Sequence, residues 1–218
     1  MNKADKLIME IDGTFTSLHG IQLYIPDAEA VRKWHEQELV QNPAARFPFW
    51  AKLWPSSIAM TEYIMENSSL IAGKTVLEVA GGLGLPSLVA ASYAREVFFT
   101  DLEPAAVLLF SKLMAFNQVT NVEAFPFDWN SPLDIDANVL LLSDVNYDDN
   151  AFDPLLDLIY MFLNKRSVVV LTTPMRLVGR KFIFELLPYI IDQQVKTIQF
   201  SGADTMITVL VLYRGDSI

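Results

Sequence analysis

The sequence predicts an α/β protein with a Rossmann-like, doubly wound sheet of seven strands, the last antiparallel, preceded by a small N-terminal strand–helix cap. Three observations predict it. Apolar, β-branched runs at residues 75–79, 96–100, 122–127, 139–143 and 167–172 read as strands. Helical patterns at 56–66, 85–94, 104–117, 152–163 and 177–192 separate them. Nearly continuous apolar strands alternating with helices are what a parallel sheet requires when both of its faces are covered. The ending differs: residues 195–200 and 205–213 are joined only by Ser201-Gly202-Ala203-Asp204. That link is too short for a parallel crossover, so the two runs form a hairpin and the last strand turns antiparallel.

Ahead of this alternation, residues 6–11 and 21–25 read as two short strands around a turn at Asp12-Gly13, with Gly20 preceding the second. A helix then starts at Pro26-Asp27 and runs to about Leu39. Residues 42–49 form a loop carrying Pro43 and Pro48. The expected organisation is a cap over residues 1–50 and a main domain over 51–218. A chain of 218 residues with 52% hydrophobic content can bury a sizeable core without staples.

Composition excludes several chemistries. There is no cysteine, so disulfides, thiolate metal sites and a cysteine nucleophile are out. His19 and His35 are far apart in sequence and neither reads as a ligand, so no metal is expected. The N-terminus has no continuous apolar stretch after a basic start, and no segment approaches the roughly 20 apolar residues of a membrane helix. No membrane association is expected, and the cytoplasm is the expected compartment. The net charge of −10 repels a polyanion, so nucleic acid is a poor partner and a cationic acceptor a better one. The plainer reading of that charge is solubility.

The segment that carries chemistry is Thr75-Val-Leu-Glu-Val79 running into Ala80-Gly81-Gly82-Leu83-Gly84-Leu85-Pro86. Strand, glycine-rich turn, then helix lets a backbone lie close against a nucleoside ligand, although glycines also make plain strand–helix turns. Asp101, at the end of the next strand, can accept from both ribose hydroxyls. Glu78, just before the turn, disfavours a pyrophosphate and suits the ammonium of S-adenosylmethionine. The dinucleotide fingerprint also fails, because Ser87 stands where its third glycine belongs.

Four segments carry a family resemblance. They are Phe47-Pro-Phe-Trp-Ala-Lys-Leu-Trp-Pro-Ser56, Val76-Leu-Glu-Val-Ala-Gly-Gly-Leu-Gly84, Phe127-Asp128-Trp129 and Ser143-Asp-Val-Asn-Tyr147. In order and spacing they resemble the tryptophan-containing lead-in, E-x-G-x-G-x-G loop, D-W and D-x-x-Y motifs of methyltransferase family 16. These are seven-strand methyltransferases that include protein lysine methyltransferases and nicotinamide N-methyltransferase-like proteins. One departure is Ala80, which replaces the first loop glycine.

The resemblance implies an S-adenosylmethionine-dependent N-methyltransferase acting on an amine, protein or small-molecule, such as a protein lysine. It implies that Ala80, Gly81, Gly82 and Gly84 line the amino-acid end of the cofactor and that Asp101 holds the ribose. Asp128 and Trp129 flank the adenine, and Trp54 and Ser143 close the pocket. Asp144 and Tyr147 are implied to be catalytic, facing the substrate nitrogen. Plain structural roles stand beside these: Trp54 in the core, Trp129 as a loop anchor, Tyr147 as a capping aromatic, Asp144 as a helix N-cap. Asp148, Asp149 and Asp153 read as a solvated acidic rim. The competing functions are a nicotinamide-dependent oxidoreductase and a catalytically silent protein-binding scaffold.

Overall fold

The computed structural model describes residues 11–174, 176 and 179–215. The chain enters as a hairpin, β1 (Gly13–Leu18) against β2 (Ile21–Pro26), turning at His19 and Gly20, both with positive φ. This corrects the expected turn at Asp12-Gly13: Gly13 is the first residue of β1 and pairs with Pro26. Residues 6–10 of the expected first strand lie outside the described residues. The physical reason is that Thr14, Phe15 and Thr16 are strand formers, and Gly20 supplies the left-handed backbone that a two-residue hairpin turn needs.

Helix α1 (Ala28–Gln41) follows, its first turn capped by Asp27, whose carboxylate accepts from the Ala30 amide at 2.9 Å. The main sheet then builds from β3 (Thr75–Val79), β4 (Glu96–Asp101), β5 (Val122–Pro126), β6 (Val139–Ser143), β7 (Val168–Pro174), β8 (Ile190–Phe200) and β9 (Ala203–Leu212). Its order is β5-β4-β3-β6-β7-β9-β8. Pairs β3–β4, β4–β5, β3–β6 and β6–β7 are parallel, and β9 is antiparallel to both of its neighbours. The strand order therefore reverses between β3 and β6, the place where open α/β sheets bind ligands.

The helices divide between the faces as strand periodicity requires. Val76, Leu141 and Val170 point to one side, where α2 (Pro55–Glu66), α3 (Leu85–Ala90) and α4 (Pro104–Phe116) supply Ile58, Leu88 and Phe110. Leu77, Leu140 and Leu142 point to the other, against Leu155, Ile159 and Phe162 of α5 (Phe152–Asn164) and Phe182 of α6 (Arg180–Leu186). Leu23 and Val31 join the first of these clusters, so the N-terminal elements share the core of the main sheet. Asn117, ending α4, fastens them: its side chain accepts from the Gln22 amide and donates to the Gln22 carbonyl, both at 2.9 Å.

Two element ends depart from expectation. The helix expected over 177–192 gives way to a 3-10 turn at Leu187–Tyr189 and then to β8. Pro188 has no N–H to continue a helix, and pairing with β9 recruits the chain from Ile190 onward. Helix α3 stops at Ala90, short of the expected residue 94. Among the described residues no helix is long and apolar enough to cross a membrane.

Candidate active site

The turn after β3 takes three left-handed residues in five: Ala80 (φ 56°), Gly82 (φ 58°) and Gly84 (φ 71°). Two glycines are demanded by packing. A Cβ on Gly81 would lie 2.3 Å from the Phe99 ring, and one on Gly84 would lie 2.1 Å from the Phe110 ring. Gly82 faces the backbone of Trp50, with 3.3 Å between its hypothetical Cβ and the Trp50 carbonyl. The turn is tied to the end of β4 by the Gly81 amide, which donates to the Thr100 carbonyl at 3.0 Å.

Two buried carboxylates stand behind this turn. Asp101 accepts from the Gly82 amide at 2.9 Å and from the Glu103 amide at 3.0 Å. Burial pushes it up to about 6 from its ordinary 3.8, partly opposed by those amides. Glu78 is fully buried, and its Oε2 accepts from both the amide and the hydroxyl of Ser87. Burial lifts it from 4.5 to about 8. Among the described residues no donor reaches its Oε1. A buried carboxylate oxygen left without a partner suits a cationic ligand group.

The segment after β5 returns to Asp101, whose carbonyl accepts from the Phe127 amide at 2.9 Å. Asp128 makes an Asx turn with Asn130, which together with Arg46 holds its carboxyl below the usual range. Trp129 is half-buried and packs, with Ala80, on the core cluster of the α5 face. Trp54 donates its indole N–H to the Phe49 carbonyl at 2.9 Å, pinning the lead-in loop. Lys52 Nζ lies 4.3 Å from the centre of its ring. Ser143 is half-buried at the end of β6, with its hydroxyl 3.4 Å from that of Thr172.

Beyond Ser143, Asp144 adopts φ 59° and is buried. Its amide donates to the Thr172 carbonyl at 2.8 Å, and Thr172 in turn donates to the Ser56 carbonyl at 2.8 Å. Both carboxylate oxygens of Asp144 are taken by the guanidinium of Arg176, Oδ1 by Nη1 and Oδ2 by Nη2 at 3.1 Å. Tyr147 is half-exposed, its ring 5.9 Å from that of Phe49. Burial and then the charges of Asp101, Asp148 and Asp144 raise its hydroxyl above the ordinary 10, with Arg46 opposing. Asp101, Asp144 and Tyr147 are thus electrostatic neighbours at one edge of the sheet. Asp148, Asp149 and Asp153 are exposed.

Three participants escaped the sequence reading. Arg176 lies 32 residues from Asp144, and nothing in its local pattern points there. Arg46 sits just before the lead-in motif and acts on both Asp128 and Tyr147. Ser87, noticed only as a missing glycine, is the donor that holds Glu78. Among the described residues no cluster of three or more His, Cys, Asp or Glu could hold a metal ion.

A sheet that reverses order beside a glycine turn, carries a buried carboxylate at the end of the next strand and closes with an antiparallel strand defines the class of seven-strand methyltransferases. The chain belongs to the lysine methyltransferase family, methyltransferase family 16, whose model matches residues 18–188. Electron transfer flavoprotein beta subunit lysine methyltransferase of Homo sapiens is 27% identical over 112 residues, covering 50% of this chain and 42% of that protein. The chain therefore spans less than half the length of that relative. Histone-arginine methyltransferase METTL23 of Homo sapiens is 23% identical over 159 residues, covering 70% of this chain and 84% of that protein. The N-methyltransferase NodS of Bradyrhizobium japonicum, solved with S-adenosyl-l-homocysteine, superposes with a TM-score of 0.59 at 14% identity, over 81% of this chain and 97% of that one. At that identity the likeness speaks for the fold.

Proposed function

We propose that the protein is an S-adenosylmethionine-dependent N-methyltransferase whose acceptor is a cationic side chain of another protein, a lysine foremost. Membership of the lysine methyltransferase family supports the transferase reading. The observation that carries the cofactor is the pair of carboxylates behind the turn: Asp101 beside Gly82, and Glu78 with one buried oxygen that has no partner among the described residues. The arrangement fits the group. Glu78 with Ala80, Gly81, Gly82 and Gly84 would hold the amino-acid end, Asp101 the ribose, and Asp128 and Trp129 the adenine, with Trp54 and Ser143 closing the pocket. The described part of the 1–50 segment acts as a cap whose loop brings Arg46 and Phe49 to the described part of the 51–218 domain. The absence of a membrane-length helix among the described residues and of cysteine suits the cytoplasm.

When bound, S-adenosylmethionine supplies a methyl group already activated by its sulfonium. The work left to this chain is alignment and the exclusion of water. A lysine amine has an ordinary pKa of about 10.4 and must lose its proton before it can attack. The apolar surface of Phe49, Trp54 and Tyr147 desolvates the amine, which lowers that pKa. Asp144 and the Tyr147 hydroxyl attract and orient it. METTL23, named as a histone-arginine methyltransferase, makes arginine the second acceptor to test.

The deciding experiment is incubation of a cell lysate with methyl-labelled S-adenosylmethionine, followed by amino-acid analysis of the labelled protein. Label in methyl-lysine supports the reading. Label only in small molecules, or none above a Gly82→Asp control, overturns it.

A further inference from the structure

Asp144 is aimed by a strained turn and then fully used by another residue of the same chain. Its left-handed backbone is anchored to Thr172. Its side chain is 7% exposed, while that of Arg176, which covers it, is 34% exposed. The guanidinium is therefore the more solvent-accessible member of the pair, and it covers both oxygens of the carboxylate. A ligand that pairs with either oxygen of Asp144 must therefore compete with Arg176.

Resting on the reading of Asp144 as the acceptor's anchor, we propose that Arg176 is a specificity-determining residue. It occupies the acceptor's place on Asp144 and yields it only to another cation. A buried carboxylate is strongly disfavoured once its partner is removed. A neutral or acidic side chain that pushed Arg176 aside would leave Asp144 bare, whereas a lysine or arginine replaces one cation by another. The exchange needs a rotation of the long Arg176 side chain, which at 34% exposure already reaches solvent. Pairing of both oxygens by a planar fork also matches a guanidinium better than an ammonium. Among cationic acceptors the seat is therefore shaped for arginine at least as well as for lysine.

The test is binding and needs no methyl transfer. The intact protein and its Arg176→Ala, Arg176→Lys and Arg176→Ala/Asp144→Asn variants are titrated with N-acetyl-arginine methylamide, N-acetyl-lysine methylamide and the neutral N-acetyl-citrulline methylamide. Thermal unfolding confirms that each variant is folded. Arg176→Ala is expected to bind both cationic probes at least tenfold more tightly than the parent, with citrulline unchanged and the gain abolished in the double variant. Should Arg176→Ala fail to fold, Arg176→Lys, which keeps the charge and loses the fork, is expected to show a smaller gain with the same selectivity. The arginine and lysine arms then rank the two acceptors. An absence of gain, a gain shared by citrulline, or a gain that survives loss of Asp144 overturns the proposal. If the Asp144-dependent gain holds while no protein accepts a methyl group, the transferase reading fails and the seat stands. Label in methyl-lysine without the gain leaves the transferase standing and removes the seat.

Discussion

Phe99 and Phe110 stack with ring centroids 3.7 Å apart and planes 9° from parallel, directly against the glycine turn. The stack joins β4 to α4, and it leaves no room for a side chain at Gly84, whose φ of 71° already disfavours one. Gly84→Ala is therefore expected to cost about 3 kcal/mol or more, from overpacking and a left-handed backbone together. Urea unfolding measures it. A cost under about 1 kcal/mol would mean that the rings shift freely.

Ala80 holds φ 56° without being glycine. Ala80→Gly removes a left-handed penalty of about 1–2 kcal/mol and adds an unfolded-state entropy cost of about 0.5–1 kcal/mol. The variant should be more stable by about 0.5–1 kcal/mol in chemical denaturation. A destabilised Ala80→Gly would show that the Ala80 methyl is needed for packing.

Stability without cofactor should fall as pH rises from about 5 to 8. Burial raises Glu78 to about 8 and Asp101 to about 6, so the folded protein holds these protons more tightly than the unfolded chain does. Their contribution is complete at low pH and is lost as pH climbs through the two folded values. Glu78→Gln keeps the shape and removes the larger titration. Its melting temperature should change less than that of the parent across the same pH range, and its affinity for S-adenosylmethionine should drop. Parallel pH profiles in differential scanning calorimetry would contradict the assignment.

Asp101→Ala deletes the acceptor for the Gly82 amide as well as the proposed ribose contact. The expected loss is about 1.5–3 kcal/mol of S-adenosylmethionine binding, measured by calorimetry. Unchanged affinity would remove Asp101 from the cofactor site.

Asp144→Asn keeps the shape of the acceptor's anchor and removes its charge. Turnover should fall by about tenfold to a thousandfold, while cofactor affinity stays within about threefold. Tyr147→Phe, which loses one hydroxyl, should do less. Steady-state kinetics with calorimetry separates the two effects; loss of cofactor binding in Asp144→Asn would move this residue out of the acceptor site.

Local pattern by itself determined the five parallel strands, because a strand covered on both faces must be apolar along its whole length, as at Thr75–Val79. It also determined the closing hairpin, from the shortness of the link at Ser201–Asp204, and the order of the motifs that carry the family. It misplaced the β1–β2 turn, since Asp-Gly and His-Gly offer the same backbone freedom and only pairing with β2 chooses between them. Folding alone decided the rest. Gly81 and Gly84 are required by rings from Phe99 and Phe110, which no spacing in the turn reveals. The upward shift of the Glu78 carboxyl follows from complete burial, a property of the packed chain and not of the residue. Arg176 reaches Asp144 because β7 runs parallel to β6 and returns the chain to the same edge of the sheet. Periodicity is a local property that sequence displays directly, whereas charge pairing and burial depend on what distant segments bring to one place.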